Sequence, residues 1–293
     1  MLEIDLQTQE AIQDAYSDIR SIGRTLSDLE RTRIGLENRF YATLLNRLGD
    51  DCPGRDSPEF FARCRSAYRD KLRDTDGNVL IDEDTLQPID LPEEGAYEYI
   101  VKAEKSAIKT LESMMLSLCG PNMQAFLDQV GIGTKTVSRL LGEIGHPIVA
   151  FPAHWEEGEE DEDKKVLVPD EPFLRRVSDL WSYCGHGDPT RKRRKGMTQE
   201  EALKLGNPTA KMTINQMAVR CMMRKGSTTS TGKVLAPSPY RAVYDAKRGH
   251  YETARPEWPD ARKKGAAIRI TAKEILRDLY NAALKDLELE EAA

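Results

Sequence analysis

The chain of 293 residues has little of what usually announces a chemistry. Its five cysteines, Cys52, Cys64, Cys119, Cys184 and Cys221, are scattered and form no C-x-x-C pair, so neither a disulfide framework nor a zinc knuckle is expected. Histidine is scarce: His146, His154, His186 and His250 are the four, and none has a nucleophile pattern beside it. Cys184 and His186 with Cys221 or His250 cluster too thinly for a metal site, and the acids between Glu156 and Asp163 read as solvating. No apolar run approaches ~18 residues, which leaves no membrane-spanning candidate. Met1-Leu2-Glu3-Ile4-Asp5 is acidic where a targeting leader would be basic, and the expectation is a cytoplasmic protein without cofactor or metal. Gly226 to Lys233 has the composition of a phosphate loop without its spacing. Five residues separate the glycines, Val234 stands where a hydroxyl is needed, and a helix precedes it in place of a strand.

What is present is helical periodicity and an uneven charge. Hydrophobic content of 39% with 31% charged residues fits a globular protein rich in helix, large enough to bury a core. The net charge of −6 hides an asymmetry: residues 1–170 carry 19 basic against 34 acidic side chains, residues 171–293 carry 24 against 15. A basic half of this kind suits a polyanion, while the acidic half can meet a partner or keep the chain soluble.

Residues 8–48 predict a long helix with a seven-residue recurrence, Ile12, Ile19 and Leu26 in one series and Ala15, Ile22, Leu29 and Leu36 in the other. Arg33 interrupts the first series, and Phe40, Leu44 and Leu48 continue the face. A second helix is expected over 57–74 after Ser57-Pro58-Glu59, an extended loop over 75–92, and a third helix over 94–118. That third helix has Val101, Ile108 and Met115 in one series and Tyr97, Leu111 and Leu118 in the other, with Glu104 in the seam. The seam's partner is either this antiparallel helix or a second copy of the chain, a homodimer.

The centre of the pattern is Val130-Gly131-Ile132-Gly133-Thr134-Lys135-Thr136. It sits between an apolar segment with Phe126 and Leu127, opened by Pro121, and one with Val137, Leu140, Leu141 and Ile144. This reads as a helix-hairpin-helix: glycines permit the tight bend, and the second helix starts there with exposed N–H groups and its positive dipole end. Such a bend can hold a sugar-phosphate backbone, with Lys135 adding charge, though it specifies neither base sequence nor reaction. The alternative is an ordinary helix-turn-helix packing device.

After an acidic loop over 147–170, a helix is expected from Glu171 to Tyr183 with Phe173, Val177, Leu180 and Trp181 facing the core. Then come five consecutive cations, Arg191, Lys192, Arg193, Arg194 and Lys195, in a loop that ends at Gly206-Asn207. A methionine-rich helix over 209–225 packs in the core. Pro239 opens the next helix, and the last, about 265–287, carries Arg269, Lys273 and Arg277 as a basic stripe beside an apolar face of Ile268, Ala272, Ile275 and Leu279. The fold class is therefore all-α: a long-helix coiled-coil stalk (1–120), the helix-hairpin-helix (121–146), the acidic loop (147–170) and a basic helical domain (171–288). The bend and the cations are expected on the same side of the body.

Lys135 after a Gly-x-Gly turn is similar to the lysine of helix-hairpin-helix DNA glycosylases, but Ala153 to Glu156 occupy the region where their aspartate belongs. A second resemblance covers more of the chain. In order, Gly131-Ile132-Gly133-Thr134-Lys135-Thr136-Val137, Leu140-Leu141-Gly142-Glu143-Ile144-Gly145, Leu180-Trp181-Ser182-Tyr183-Cys184-Gly185, Gly206-Asn207 and Ala272-Lys273-Glu274-Ile275-Leu276-Arg277-Asp278-Leu279 resemble the C-terminal transposase domain of the bridge-RNA-guided insertion-sequence transposases. The domain also occurs in phage and actinobacterial mobile-element proteins. The resemblance implies DNA as partner, with structured RNA as an alternative. It also implies a catalytic set of RuvC-like carboxylates plus a serine. In this chain the N-terminus has coiled-coil recurrence in place of RuvC-like strands, and the serine position falls within 187–192, where Thr190 is the one hydroxyl. The expectation is thus a non-catalytic, transposase-derived DNA-binding protein gripping phosphates through Gly131, Gly133, Thr134, Lys135, the 191–195 loop, Arg269, Lys273 and Arg277. The alternative is a DNA strand-transfer subunit whose partner supplies the carboxylates.

Overall fold

The computed structural model describes residues 6–48, 94–151, 153–158, 161–169, 171–188, 190, 194–198, 201–202, 205–228, 232 and 234–292. The expected helix over 57–74, the loop over 75–92, Cys52 and Cys64 lie outside them. Among the described residues there are eight helices: α1 (Leu6–Leu48), α2 (Glu94–Ser117), α3 (Pro121–Leu127), α4 (Thr134–Ile144), α5 (Val177–Tyr183), α6 (Pro208–Met223), α7 (Pro239–Ala254) and α8 (Asp260–Ala292). Strands appear only as two-stranded antiparallel ribbons: β1 (Val149–Ala150) with β4 (Phe173–Leu174), β2 (Ala153–Gly158) with β3 (Asp161–Pro169), and β5 (Ser227–Thr228) with β6 (Val234–Leu235). The class is all-α, as expected.

The chain divides into two compact units, residues 1–23 with 111–293, and residues 24–110. The division cuts through α1 and α2, so the helix-hairpin-helix and the basic helices form one body and do not separate at 146 or 170.

In the smaller unit, Leu26, Leu36 and Phe40 of the heptad series are almost fully buried. Arg33, which interrupts that series, has its partner inside the chain: its Nε donates to Glu104 Oε1 at 2.9 Å and its Nη1 to Glu37 Oε1 at 2.6 Å. The Tyr97 hydroxyl donates to the same Glu37 oxygen at 3.2 Å. Arg33 meeting Glu104 while Glu37 meets Tyr97 runs the two helices antiparallel. Over this stretch α1 meets α2 of the same chain.

In the larger unit the expected apolar faces are buried. Val137, Leu140, Leu141 and Ile144 of α4 and Ala272, Ile275 and Leu279 of α8 are at most 2% exposed. Each fully buried branched side chain contributes about 1.5–3 kcal/mol, so these faces, more than helix propensity, hold the helices. Of the methionines in α6, Met217 and Met222 are buried, but Met212 and Met223 are 55% and 70% exposed.

Three segments differ from expectation. Residues 171–176 are not helical: Phe173 and Leu174 pair with Ala150 and Val149, and Phe173 is 50% exposed. The helix waits for Arg176, where Asp179 Oδ2, three residues on, accepts from the Arg176 N–H at 2.9 Å. The acidic stretch is a hairpin, with Trp155 opposite Leu167 and Glu156 opposite Val166 in register. Val166-Leu167-Val168 is a β-forming run that acid counting conceals; Glu159 and Glu160 lie outside the described residues. The loop between Gly226 and Leu235 is a short ribbon, Ser227 opposite Leu235, in keeping with its failure as a phosphate loop.

Helix α3 starts against an acid from the other end of the chain. Asp286 of α8, only 7% exposed, accepts from the Asn122 N–H at 2.9 Å, Asn122 Nδ2 at 2.8 Å and the Met123 N–H at 2.9 Å. Its carboxylate thus does for α3 what an N-cap side chain normally does, while Gly120 at the cap position makes no side-chain bond. Asp286→Ala should lower unfolding stability by about 2–3 kcal/mol, since two buried N–H groups lose a charged acceptor. Urea denaturation checks this; an unchanged midpoint would show that the cap carries no weight.

Candidate nucleic-acid interface

The site is built on α4, and its two ends are treated differently. The last carbonyls of an α-helix have no partner within the helix. Here every one of the last four is bonded. Gly145 N–H donates to Leu141 O at 2.7 Å. Arg20 of α1 donates through Nε to Gly142 O and through Nη2 to Glu143 O at 3.2 Å. The Tyr183 hydroxyl also reaches Glu143 O at 3.0 Å, and Arg175 Nη1 reaches Ile144 O at 2.8 Å and His146 O at 2.9 Å. Gly142 is needed for this approach, because a Cβ there would stand 3.0 Å from Arg20 Cα.

At the other end lies the bend. Gly131 has φ +96°, and a Cβ on it would meet Cys221 Sγ at 2.9 Å and Ser238 Oγ at 3.2 Å. Both conformation and space therefore require glycine, and the bend is seated on α6 and on the start of α7. Gly133 is different: it is extended, with φ −164°, and nothing lies within 4 Å of where its Cβ would be. Gly133 and Thr134 are half-buried, and neither carries a described partner on its N–H. The Thr136 and Val137 N–H groups close onto Gly133 O at 2.9 and 3.0 Å.

Two further cations stand at this end. Arg220 of α6 donates through Nη1 to Thr136 Oγ1 at 2.6 Å, which fixes its guanidinium beside the first turn of α4. Arg224, exposed, follows one turn later, and its carbonyl accepts from the Ser238 N–H at 3.0 Å. Lys135 is half-buried in the first turn itself. Neither Arg220 nor Arg224 has a local signal in the sequence; Arg220 is 84 residues from Thr136 and enters the site only through the packing of α6 on α4.

The other expected contacts fall elsewhere. Arg191, Lys192 and Arg193 lie outside the described residues, and Arg194 and Lys195 are exposed. Their loop leaves after α5 and returns at Asn207, whose Nδ2 donates to Glu143 Oε2 at 3.1 Å. Its roots are thus at the carbonyl end of α4, about 16 Å from the bend for an 11-residue helix. The expectation that bend and cation loop share one side does not hold at the level of their attachment. Arg269 is committed to the loop root, donating through Nη2 to His186 O at 3.1 Å and Gly187 O at 2.7 Å. Lys273 lies 4.6 Å from the centre of the Trp181 ring, and Arg277 is ion-paired with Glu274 and with Asp278. The stripe on α8 is structural at its first two positions and neutralised at the third. Thr190 is exposed and donates its hydroxyl to Asp188 Oδ1 at 2.7 Å; the same oxygen accepts its N–H at 2.8 Å, the geometry of a local turn.

Two buried thiols and two buried imidazoles are held neutral. Burial pushes the Cys119 and Cys184 thiols up to about 12, with Asp286 adding to the first. Burial, with a smaller contribution from the Arg175 charge, lowers His146 to about 4, and its Nδ1 accepts from the Ile148 and Val149 N–H groups. His186 is lowered to about 4 by burial and then by Lys211, Arg269 and Lys273. Among the described residues no His, Cys, Asp and Glu group could hold a metal ion, and no helix is long and apolar enough to cross a membrane.

No family model, curated protein or solved structure matches the chain.

Gly131→Ala should destabilise the fold by about 1–3 kcal/mol through backbone strain alone, whereas Gly133→Ala should stay within about 0.5 kcal/mol of the parent; equal urea midpoints for the two variants would contradict the seating of the bend. The histidines predict acid sensitivity. Above the ordinary value of 6.5 both are neutral whether folded or unfolded; as the pH falls towards 4 the unfolded chain takes up protons that the folded chain refuses. Stability should fall across that window by on the order of 3 kcal/mol per ring. Denaturation midpoints at pH 7 and 4.5 test it, and His186→Gln should remove about half of the difference; a pH-independent midpoint would refute it.

Proposed function

We propose that the chain is a non-catalytic, transposase-derived protein that binds nucleic acid, DNA first, by its phosphate backbone. The observation that carries the reading is the unfilled N-terminus of α4. The Gly133 and Thr134 N–H groups have no partner among the described residues, the dipole is positive there, and the Arg220 guanidinium is fixed beside it by Thr136. A phosphate needs those three things: oriented N–H donors, a favourable field and a charged donor that does not have to be ordered on binding. Arg224 and Lys135 add charge near the bend, while Arg194 and Lys195 belong to a loop rooted at the other end of α4 and would meet a longer stretch of strand. The order of segments shared with the transposase domain supports the same partner.

The contacts are to backbone and not to base edges, so affinity should depend steeply on salt and little on sequence. The strand-transfer alternative requires an activated hydroxyl, for which Thr190, donating to Asp188 Oδ1 at 2.7 Å, is the candidate.

Binding to random duplex, measured by fluorescence anisotropy at two salt concentrations, should weaken several-fold in Arg220→Ala and in Arg224→Ala. Each loss should flatten the slope of log affinity against log salt by about 0.9. Replacing the five loop cations together should flatten it further. Lys102→Ala in α2, paired with Glu98 at 3.8 Å, should change nothing. Binding untouched by both arginine variants would end the proposal, and nicking of supercoiled DNA with Mg²⁺ would favour the strand-transfer reading.

A further inference from the structure

At the carbonyl end of α4, away from the bend, the larger unit contains a cavity of about 460 Å³. Its size lies in the ~300–1,000 Å³ range of small-ligand sites. Four aromatic rings line it, Tyr16 of α1, Phe151, Phe173 of β4 and Tyr183 of α5, together with the guanidinium groups of Arg20 and Arg175. The rings belong to separate elements that the fold brings together, and Phe173 is turned out from the core on the short β1–β4 ribbon. Nothing in the packing of the core asks for an aromatic residue at that half-exposed place.

The charge is as uneven as the lining. Arg20 and Arg175 make hydrogen bonds only to main-chain carbonyls, Gly142 and Glu143 for the first, Ile144 and His146 for the second. Arg175 Nη1 serves both of its carbonyls, so its other nitrogens have no protein acceptor among the described residues. The acid on the wall, Asp179, is taken up by Arg176, whose N–H and Nε both donate to Oδ2, at 2.9 and 3.3 Å. His146, edge-on to Tyr16 with ring centres 5.7 Å apart, is neutral at pH 7 and adds no further positive charge. The cavity therefore presents two arginines anchored on main-chain carbonyls, Arg175 with its guanidinium carbon 5.3 Å from the centre of the Tyr183 ring and under the influence of the Asp179 charge, next to aromatic faces. Guanidinium forks match phosphate, and aromatic side chains stack on bases.

We propose that this cavity is a nucleotide site, with a phosphate between Arg20 and Arg175 and the base against the aromatic wall. The nucleotide comes either from a free monophosphate or from an unstacked residue of a single strand. The site does not depend on the duplex surface, which lies at the other end of α4, so either can fail alone.

Isothermal titration of the full chain with each nucleoside monophosphate, with the matching nucleoside, with inorganic phosphate and with a short single-stranded oligonucleotide tests it. A monophosphate or the oligonucleotide should bind about tenfold more tightly than the nucleoside or phosphate alone. Phe173→Ala, at an exposed position, should weaken that binding about tenfold, and Ser17→Trp, which fills the cavity from α1, should abolish it. Both variants should keep the melting temperature of the free protein, and Arg220→Ala should leave nucleotide binding intact. Binding by monophosphates identifies the free nucleotide as ligand; binding by the oligonucleotide alone identifies the strand, provided that Ser17→Trp blocks it. No binding in any arm, phosphate binding as tightly as the nucleotide, or full binding by folded Phe173→Ala or Ser17→Trp would overturn the proposal.

Discussion

The larger unit depends on how the carbonyl end of one short helix is sealed. Leu141, Gly142, Glu143 and Ile144 would leave four acceptors without partners in the interior, each worth about 1–3 kcal/mol if unmet. Leu141 O is met by the Gly145 N–H, and the other three by side chains from α1, from the segment before α5 and from α5 itself, two of them guanidinium groups. One helix end thereby ties together stretches of chain that are more than a hundred residues apart, as Arg20 and Gly142 are. The helix dipole is also assigned a direction: its negative end is closed by cations, and its positive end is left at the glycine bend.

The same chemistry recurs and changes the meaning of the charge count. Arg241 donates to Met222 O at the end of α6, Arg269 to the carbonyls after α5, and Asp286 accepts from the start of α3. Some of the cations after residue 170, Arg175, Arg241 and Arg269 among them, therefore go to closing helix ends, so the number of cations overstates how many can face a polyanion. Arg220 and Arg224, one turn apart at the end of α6, and the exposed Arg194 and Lys195 are not used in this way among the described residues. The cavity arginines are an intermediate case, since they close a helix end and still present free donors.

The helices were legible because their apolar residues repeat at helical spacing, and that signal is local. The α4 face and the α8 face needed nothing beyond the order of Val137, Leu140, Leu141 and Ile144, and of Ala272, Ile275 and Leu279. Gly131 was legible too, as a glycine in a tight bend, although its dependence on Cys221 was not. What stayed hidden was decided by pairing across the chain. Phe173 reads as the first turn of a helix until Ala150 arrives to pair with it. Arg220 reads as one more cation on a helix until Thr136 is placed against it. Arg269, Lys273 and Arg277 share a face by periodicity, but a face says nothing of the loop carbonyls, the indole or the acids that occupy them. The acidic run was misjudged for a different reason: net charge dominated a segment whose β-branched and leucine residues set its backbone.

The central claim is that the positive end of α4 is where a phosphate backbone docks. Titrating an isotope-labelled chain with a short random duplex and following backbone amide resonances by NMR tests it directly. The Gly133, Thr134 and Lys135 amides should shift with saturating dependence on duplex, while Gly145 at the sealed end should not. Duplex binding that leaves those three amides unmoved would contradict the claim.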